Sequence, residues 1–174
     1  MIALYILLGL IVLLLLTAAV IGTGWSFEKS ILINAPVDKV WGHINTLAKI
    51  NQWNPWMGKD PNIKVEYSGV DGTPGASFTW DSQDKNVGAG SQTITRVVEN
   101  SQVASRVNFL RPFKGVGEAF FDLGSEAGAS KVTWKIVSST PYPMNILKLF
   151  GVIEKNMDKD FGSGLNKLKA LSEQ

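Results

Sequence analysis

Three hydrophobic rhythms succeed one another along the chain. From Ile2 to Ile21 there is no charged residue and almost no polar one. An apolar run of about 20 residues, at ~1.5 Å rise, makes a helix ~30 Å long, the thickness of a bilayer's hydrocarbon core. The period then becomes two: in 26–33, Phe27, Ile31 and Ile33 fall on one face of a strand. Asn34-Ala35-Pro36 ends it, with Asn34 placed to cap a helix and Pro36 to open its first turn. Val37, Val40, Trp41 and Ile44 recur at helical spacing. A second short helix is predicted over 46–52, stopped by Asn54-Pro55.

Beyond residue 63 the alternation returns. It predicts strands over 64–67, 76–81, 91–98, 103–110, 115–123 and 131–138, divided by turn-forming residues such as Asp71-Gly72-Thr73-Pro74-Gly75 and Glu99-Asn100. Ile94 and Val97 disagree in parity, which points to a bulge near Arg96. Consecutive strands with short links make an antiparallel meander. After Pro141 and Pro143 the period lengthens to that of one long closing helix. Its apolar stripe is Ile146, Phe150, Ile153, Met157, Phe161, Leu165 and Leu168. Gly151, Gly162 and Gly164 weaken its propensity, and a close approach of helix to sheet would offset that cost.

This pattern divides the chain into 1–24, a transmembrane helix and short linker, and 25–174, one α+β domain. The first segment reads as an uncleaved single-pass anchor partnered by the bilayer through residues 2–21, since no Lys or Arg precedes it as a secretory signal would require, with a cleaved signal as the alternative that the small residues Ala18, Ala19, Gly22 and Gly24 leave open. Tyr5 and Trp25 flank it as amphipathic aromatics suited to headgroups. Lys29, Lys39 and Lys49 follow it and none precedes it, which favours a domain on the cytoplasmic side.

Composition narrows the function. The 17 Lys and Arg against 15 Asp and Glu leave a net +2, too little for a nucleic-acid partner. The absence of cysteine removes disulfides, thiol catalysis and Cys-metal sites, and a single histidine argues against any metal site. Six Trp and eight Phe are many for a domain of this size, and such rings fill a core or line an apolar cavity.

The order of elements resembles the helix-grip fold of the START, birch-pollen-allergen and polyketide-cyclase (SRPBCC) superfamily. FEKSILINAPVDKVW, from Phe27 to Trp41, looks like its opening strand, turn and first helix. INQWNPW, from Ile50 to Trp56, looks like the second helix and the segment after it. GASFTWDS and VGAGSQTIT resemble middle strands, RPFKGVGEAFFDL with SKVTWKI the last two, and MDKDFGSGLNKLKALSE the C-terminal helix of polyketide cyclase/dehydrase-like members. The resemblance implies a curved antiparallel sheet gripping a long helix, with a cavity between them for an apolar or amphipathic small molecule. It implies no cofactor and no single activity, because members include carriers, cyclases, sensors and chaperone activators.

Strand parity supplies the cavity candidates. Phe78 and Trp80 share a face, as do Val107 and Phe109, Ala119, Phe121 and Leu123, and Val132, Trp134 and Ile136. Leu147, Phe150, Ile153 and Met157 would face them from the helix, with Met144, while Trp53 and Trp56 would stand at the mouth. Trp41 reads as plain core. Arg106, Asn108, Glu118 and Asp122 fall on the opposite strand face, and His43, beside Gly42, is expected at the surface; no catalytic residue stands out. Lys148, Lys155, Lys159, Lys167 and Lys169 read as a solvated helix face balanced by Glu154, Asp158 and Asp160, or as a contact for anionic lipid headgroups. Three functions fit. A membrane-anchored carrier of a hydrophobic ligand needs a real void. A cyclase or dehydrase needs a titratable group pointing inward. A protein-interaction or stress-response module would have a collapsed pocket and an exposed apolar patch.

Overall fold

In the computed structural model, which describes residues 1–174, α1 (Ile2–Val20) projects from the rest. It is long and apolar enough to cross a membrane, and Ala18 alone in it is buried. Only its last turn touches the domain.

The domain is built on a seven-stranded antiparallel sheet in the order β1-β7-β6-β5-β4-β3-β2. The strands are β1 (Gly24–Ile33), β2 (Lys64–Ser68), β3 (Ser77–Asp81), β4 (Ala89–Val98), β5 (Gln102–Arg111), β6 (Gly115–Glu126) and β7 (Ala129–Ser139). Each lies within three residues of its expected bounds. The register irregularity between Ile94 and Arg96 is the bulge that the parity conflict required. Curvature gives the sheet a concave face, and the alternating buried residues of β3 to β7 all point into it.

The register also defines two ends. Gly24 pairs with Ser139, Ser138 with Gly117, Gly115 with Phe109, Arg111 with Ala89, and Ala89 with Asp81. These positions form one end of the sheet, directly after α1. The β2–β3, β4–β5 and β6–β7 turns form the opposite end.

Two short helices cover the concave face. α2 (Val37–Trp41) is shorter than its apolar spacing suggests, and Ile44 is buried from the turn that follows. Asn34 does not cap it. Pro36 occupies the cap position without a side-chain bond, and the Asn34 backbone N–H donates instead to Glu173 Oε1 at 2.6 Å, tying the end of β1 to the C-terminus. α3 (Leu47–Trp53) has Thr46 as its N-cap, accepting from the Lys49 N–H at 3.2 Å. A second carboxylate cap arrives from the β2–β3 turn. Asp71 accepts from the Leu47 and Ala48 N–H groups at 2.8 and 2.9 Å. These are two of the four donors that a helix start leaves unpaired. Asp71→Ala is therefore expected to cost about 2 kcal/mol, since charge-assisted bonds are worth roughly 1.5–3 kcal/mol. A urea titration of the variant that matched the parent would refute this.

The closing segment is not one helix. Met144–Phe150 winds as a 3-10 turn, Gly151 adopts a left-handed φ of 62°, and only then does α4 (Val152–Ser172) begin. Glycine carries no Cβ penalty there. The 3-10 turn advances about 120° per residue instead of 100°, so the apolar stripe read as continuous is broken at Gly151. α4 then runs from the α1 end of the sheet to the far end. Lys29 meets Asp158 at 2.5 Å, Lys59 meets Asp160 at 2.9 Å, and Glu173 reaches Asn34. Two of the acids expected to balance the lysines of α4 itself thus pair with other elements. Phe161, Leu165 and Leu168 are its large buried side chains, with Phe27 edge-on to Phe161 at 5.3 Å. A Cβ on Gly164 would lie 3.0 Å from both the Trp134 ring and Pro55, which is the close approach its glycine permits.

Candidate ligand-binding cavity

Between the concave face and α4 lies a cavity of about 320 Å³. The strands supply Phe78 and Trp80, Gln92, Val107 and Phe109, Ala119 and Phe121, and Trp134 and Ile136. α3 and the segment after it add Ile50, Asn54, Trp56 and Met57, and α4 adds Met157 and Phe161. Of 21 lining residues 16 are hydrophobic.

The aromatic rings of the wall fall into two connected groups, one centred on Trp134 and one of Phe78, Trp80 and Phe109. Trp134 stacks on Phe161 with centroids 4.0 Å apart and planes at 13°. Trp53, Trp56 and Phe121 surround it at 5.4, 5.7 and 5.3 Å. Trp53 and Trp56 meet it edge-on and Phe121 is tilted at 36°, contacts that fix the orientation of the Trp134 ring.

Ten of the residues expected at the cavity line it: Trp56, Phe78, Trp80, Val107, Phe109, Ala119, Phe121, Trp134, Ile136 and Met157. Seven do not. Trp53 is fully buried behind the wall, where its indole N–H donates to the His43 carbonyl at 2.9 Å. Leu147 and Phe150 belong to the 3-10 turn, which points them elsewhere, and Phe150 is 65% exposed. Ile153, just after the Gly151 break, is also off the wall, as is Met144. Leu123 and Val132 are buried beyond the cavity's far limit.

Other lining residues come as additions. Trp25, which the sequence placed at the headgroups, lines the cavity, and its N–H donates to Thr140 Oγ1 at 3.0 Å. Gln92 is the polar group within the sheet wall, buried, with its amide N–H₂ donating to Ser105 Oγ at 2.7 Å. That bond leaves the amide oxygen free to accept. Parity with Ile94 was the signal for it. Asn86, Val87, Arg111, Pro112 and Phe113 complete the wall from the β3–β4 and β5–β6 loops. Arg111 is the one ionisable side chain among the 21, and it is exposed and paired with Asp81.

Arg106, Asn108, Glu118 and Asp122 sit on the outer face of the sheet. Arg106 and Glu118 face each other at 3.8 Å, Asp122 accepts from Gln102, and Asn108 donates to Ser91. His43 is not free at the surface. Its Nδ1 is buried without a partner, and burial, then Lys49 and Lys39, hold its pKa below 6.5. A depressed folded pKa means that the unfolded chain takes up the proton first as pH falls. The stability from keeping this ring neutral is complete above about pH 6.5 and is lost as pH drops through the lower folded value. His43→Gln should flatten the change in urea midpoint between about pH 7.5 and about pH 5.5. Equal midpoints for the parent at both pH values would contradict this.

The fold has many solved counterparts. An uncharacterized protein from Rhizobium leguminosarum superposes with a TM-score of 0.60 at 16% identity, covering 86% of this chain and 95% of that one. The di-domain ARO/CYC StfQ from the steffimycin biosynthetic pathway gives 0.64 at 10% identity, covering 87% of this chain and 51% of StfQ. The Aha1 dimer from Colwellia psychrerythraea gives 0.59 at 15%, covering 86% and 96%. At such identities the likeness is one of fold. No curated protein matches the chain. A family model does, across residues 24–173, the whole of the sheet, the cavity and α4. The chain thus belongs to the family described as polyketide cyclase / dehydrase and lipid transport.

Proposed function

We propose that this protein is a membrane-anchored binding domain that holds one hydrophobic or amphipathic small molecule between its sheet and α4. The observation that carries the reading is the void itself, about 320 Å³ with a largely apolar wall rich in aromatic rings, in a domain that could have closed over them. Burial of apolar ligand surface, about 25 cal/mol per Å², supplies the affinity. Gln92 offers one hydrogen-bonding group inside the wall, enough to orient a ligand with a single polar function. α1 adds the anchor. A helix apolar on every side and packed against the domain only at its last turn suits hydrocarbon and not water. The lysines that follow it favour a cytoplasmic domain.

Cyclase or dehydrase chemistry is less well supported. It needs a proton-moving group inside, and the only ionisable residue on the wall is the rim residue Arg111, already paired with Asp81. A protein-interaction module with a collapsed pocket is disfavoured by the open volume.

The test is mass spectrometry of an organic extract from residues 25–174 purified without detergent, which would wash a lipid out. A stoichiometric co-purifying lipid or isoprenoid is expected. An empty extract, together with no binding of a fluorescent fatty acid or sterol, would overturn the reading.

A further inference from the structure

The end of the sheet next to α1 differs in three ways from the opposite end. First, it is bonded to the helix that leaves it. Asn145, 1% exposed, donates its amide to the Ala18 and Ile21 carbonyls at 2.7 and 2.9 Å. Lys148 donates to the Gly22 and Gly24 carbonyls at 2.7 and 2.6 Å. These are the carbonyls that the end of a helix and its exit leave unpaired. The 3-10 turn is thereby fixed at the level where α1 ends, with no free linker between them.

Second, this end exposes large apolar side chains. Tyr142, Met144, Leu149, Phe150 and Val152 flank the bonded pair, and Phe150 and Leu149 are 65% and 58% exposed. Phe113, in the β5–β6 loop of the same end, is 72% exposed. Third, the cationic residues Lys85, Arg111 and Lys114 lie on the loops or strand ends here, with Lys148 beside them, whereas the opposite turns carry Asp71, Glu99 and Glu126, the last paired with Lys131. Asp60, Asp81, Asp84 and Glu154 also lie at the α1 end, but Asp60 accepts from Ser82, Asp81 is paired with Arg111 and Asp84 accepts from Asn86 within its own loop. The mouth of the cavity belongs to this same end, because Trp25, Asn86, Val87, Arg111, Pro112 and Phe113 all line it.

We propose that the α1 end of the domain is a membrane-seating surface, so that the cavity opens onto an anionic lipid bilayer and not into water. This rests on the anchored reading of α1 given above. The apolar side chains enter the interface, where such faces lie ~5–10 Å deep. Lys85 and Lys114, on the loops of this end, meet lipid phosphates. Asn145 and Lys148 hold the domain so that its mouth cannot swing away. The ligand class follows: a membrane-resident amphiphile that moves between leaflet and cavity without crossing water.

The chain has no cysteine, so single introduced cysteines take one label each. Phe113→Cys, Phe150→Cys and, at the opposite end, Glu99→Cys would be made in the full-length chain. Each would carry an environment-sensitive fluorophore after reconstitution into phosphatidylcholine vesicles with a minority of phosphatidylglycerol. The expected result is a blue shift and quenching by acyl-chain bromines at 113 and 150, with neither at 99. A chain that resists alkaline extraction but whose labels at 113 and 150 behave like that at 99 would overturn the seating proposal and spare the anchor. A chain that washes off in alkali would overturn both.

Discussion

Trp134→Ala is expected to destabilise the domain by about 3 kcal/mol, the low end of the ~3–5 kcal/mol usual for deleting a large buried aromatic side chain. The ring is buried and in contact with four other aromatics, stacked on Phe161 from α4 and edge-on to Trp53 and Trp56. It therefore joins sheet, α3 and α4 at one point. Two effects set the size. Ring pairs add roughly 0.5–1.5 kcal/mol beyond their buried area, which raises the cost. The space left behind merges with the existing cavity and is not sealed, so bound ligand or water relieves part of it. For a domain of this length each kcal/mol moves Tm by about 2–4 °C, so a drop near 10 °C is expected in the full chain in nonionic detergent. Trp134→Phe keeps a ring over Phe161 and should lose less than half as much. A Trp134→Ala variant melting within about 2 °C of the parent would show that α4 does not depend on this stack.

The sequence exposed this site unevenly, for physical reasons. Strand residues were placed by parity, which the bulge near Arg96 disturbs only beyond the cavity, so Phe78, Trp80, Phe109, Phe121 and Trp134 could be assigned to one surface. Gln92 obeyed the same parity with Ile94, but a polar residue among apolar neighbours is easily passed over as an outward one. The helical half was less legible. Periodicity cannot distinguish 3.6 residues per turn from 3.0 over seven residues, so Leu147 and Phe150 were read through Gly151 as though the helix were unbroken. Trp25 was ambiguous in kind, because one amphipathic ring suits a headgroup layer and a cavity rim equally, and here the end of α1 and the cavity rim lie at the same end of the sheet. Asn86 and Phe113 sit on loops, whose course depends on the tertiary structure, and no local pattern announced them.

Ala119→Phe should separate ligand binding from folding. Ala119 lies on β6, opposite Ile136 on β7, and its methyl group forms part of the cavity wall. A phenyl ring there projects into space that is already open, so the usual penalty for overpacking, about 1–3 kcal/mol, applies only in small part. New apolar contacts with the surrounding rings work in the opposite direction, and the urea midpoint should stay close to the parent's. Binding should not survive. Loss of roughly 60 Å² of ligand contact at ~25 cal/mol per Å² is about 1.5 kcal/mol, or about tenfold in Kd, before any clash with the ligand is counted. Anilinonaphthalene sulfonate, which has an apolar body and one charged group, would serve as the fluorescent probe for parent and variant. Weakened binding with an unchanged midpoint means that the cavity is the binding site. Equal binding by both proteins would place the probe elsewhere and remove the main support for a ligand held between sheet and α4. A variant that binds less but also unfolds early would be replaced by Val107→Phe, which fills the same void from β5.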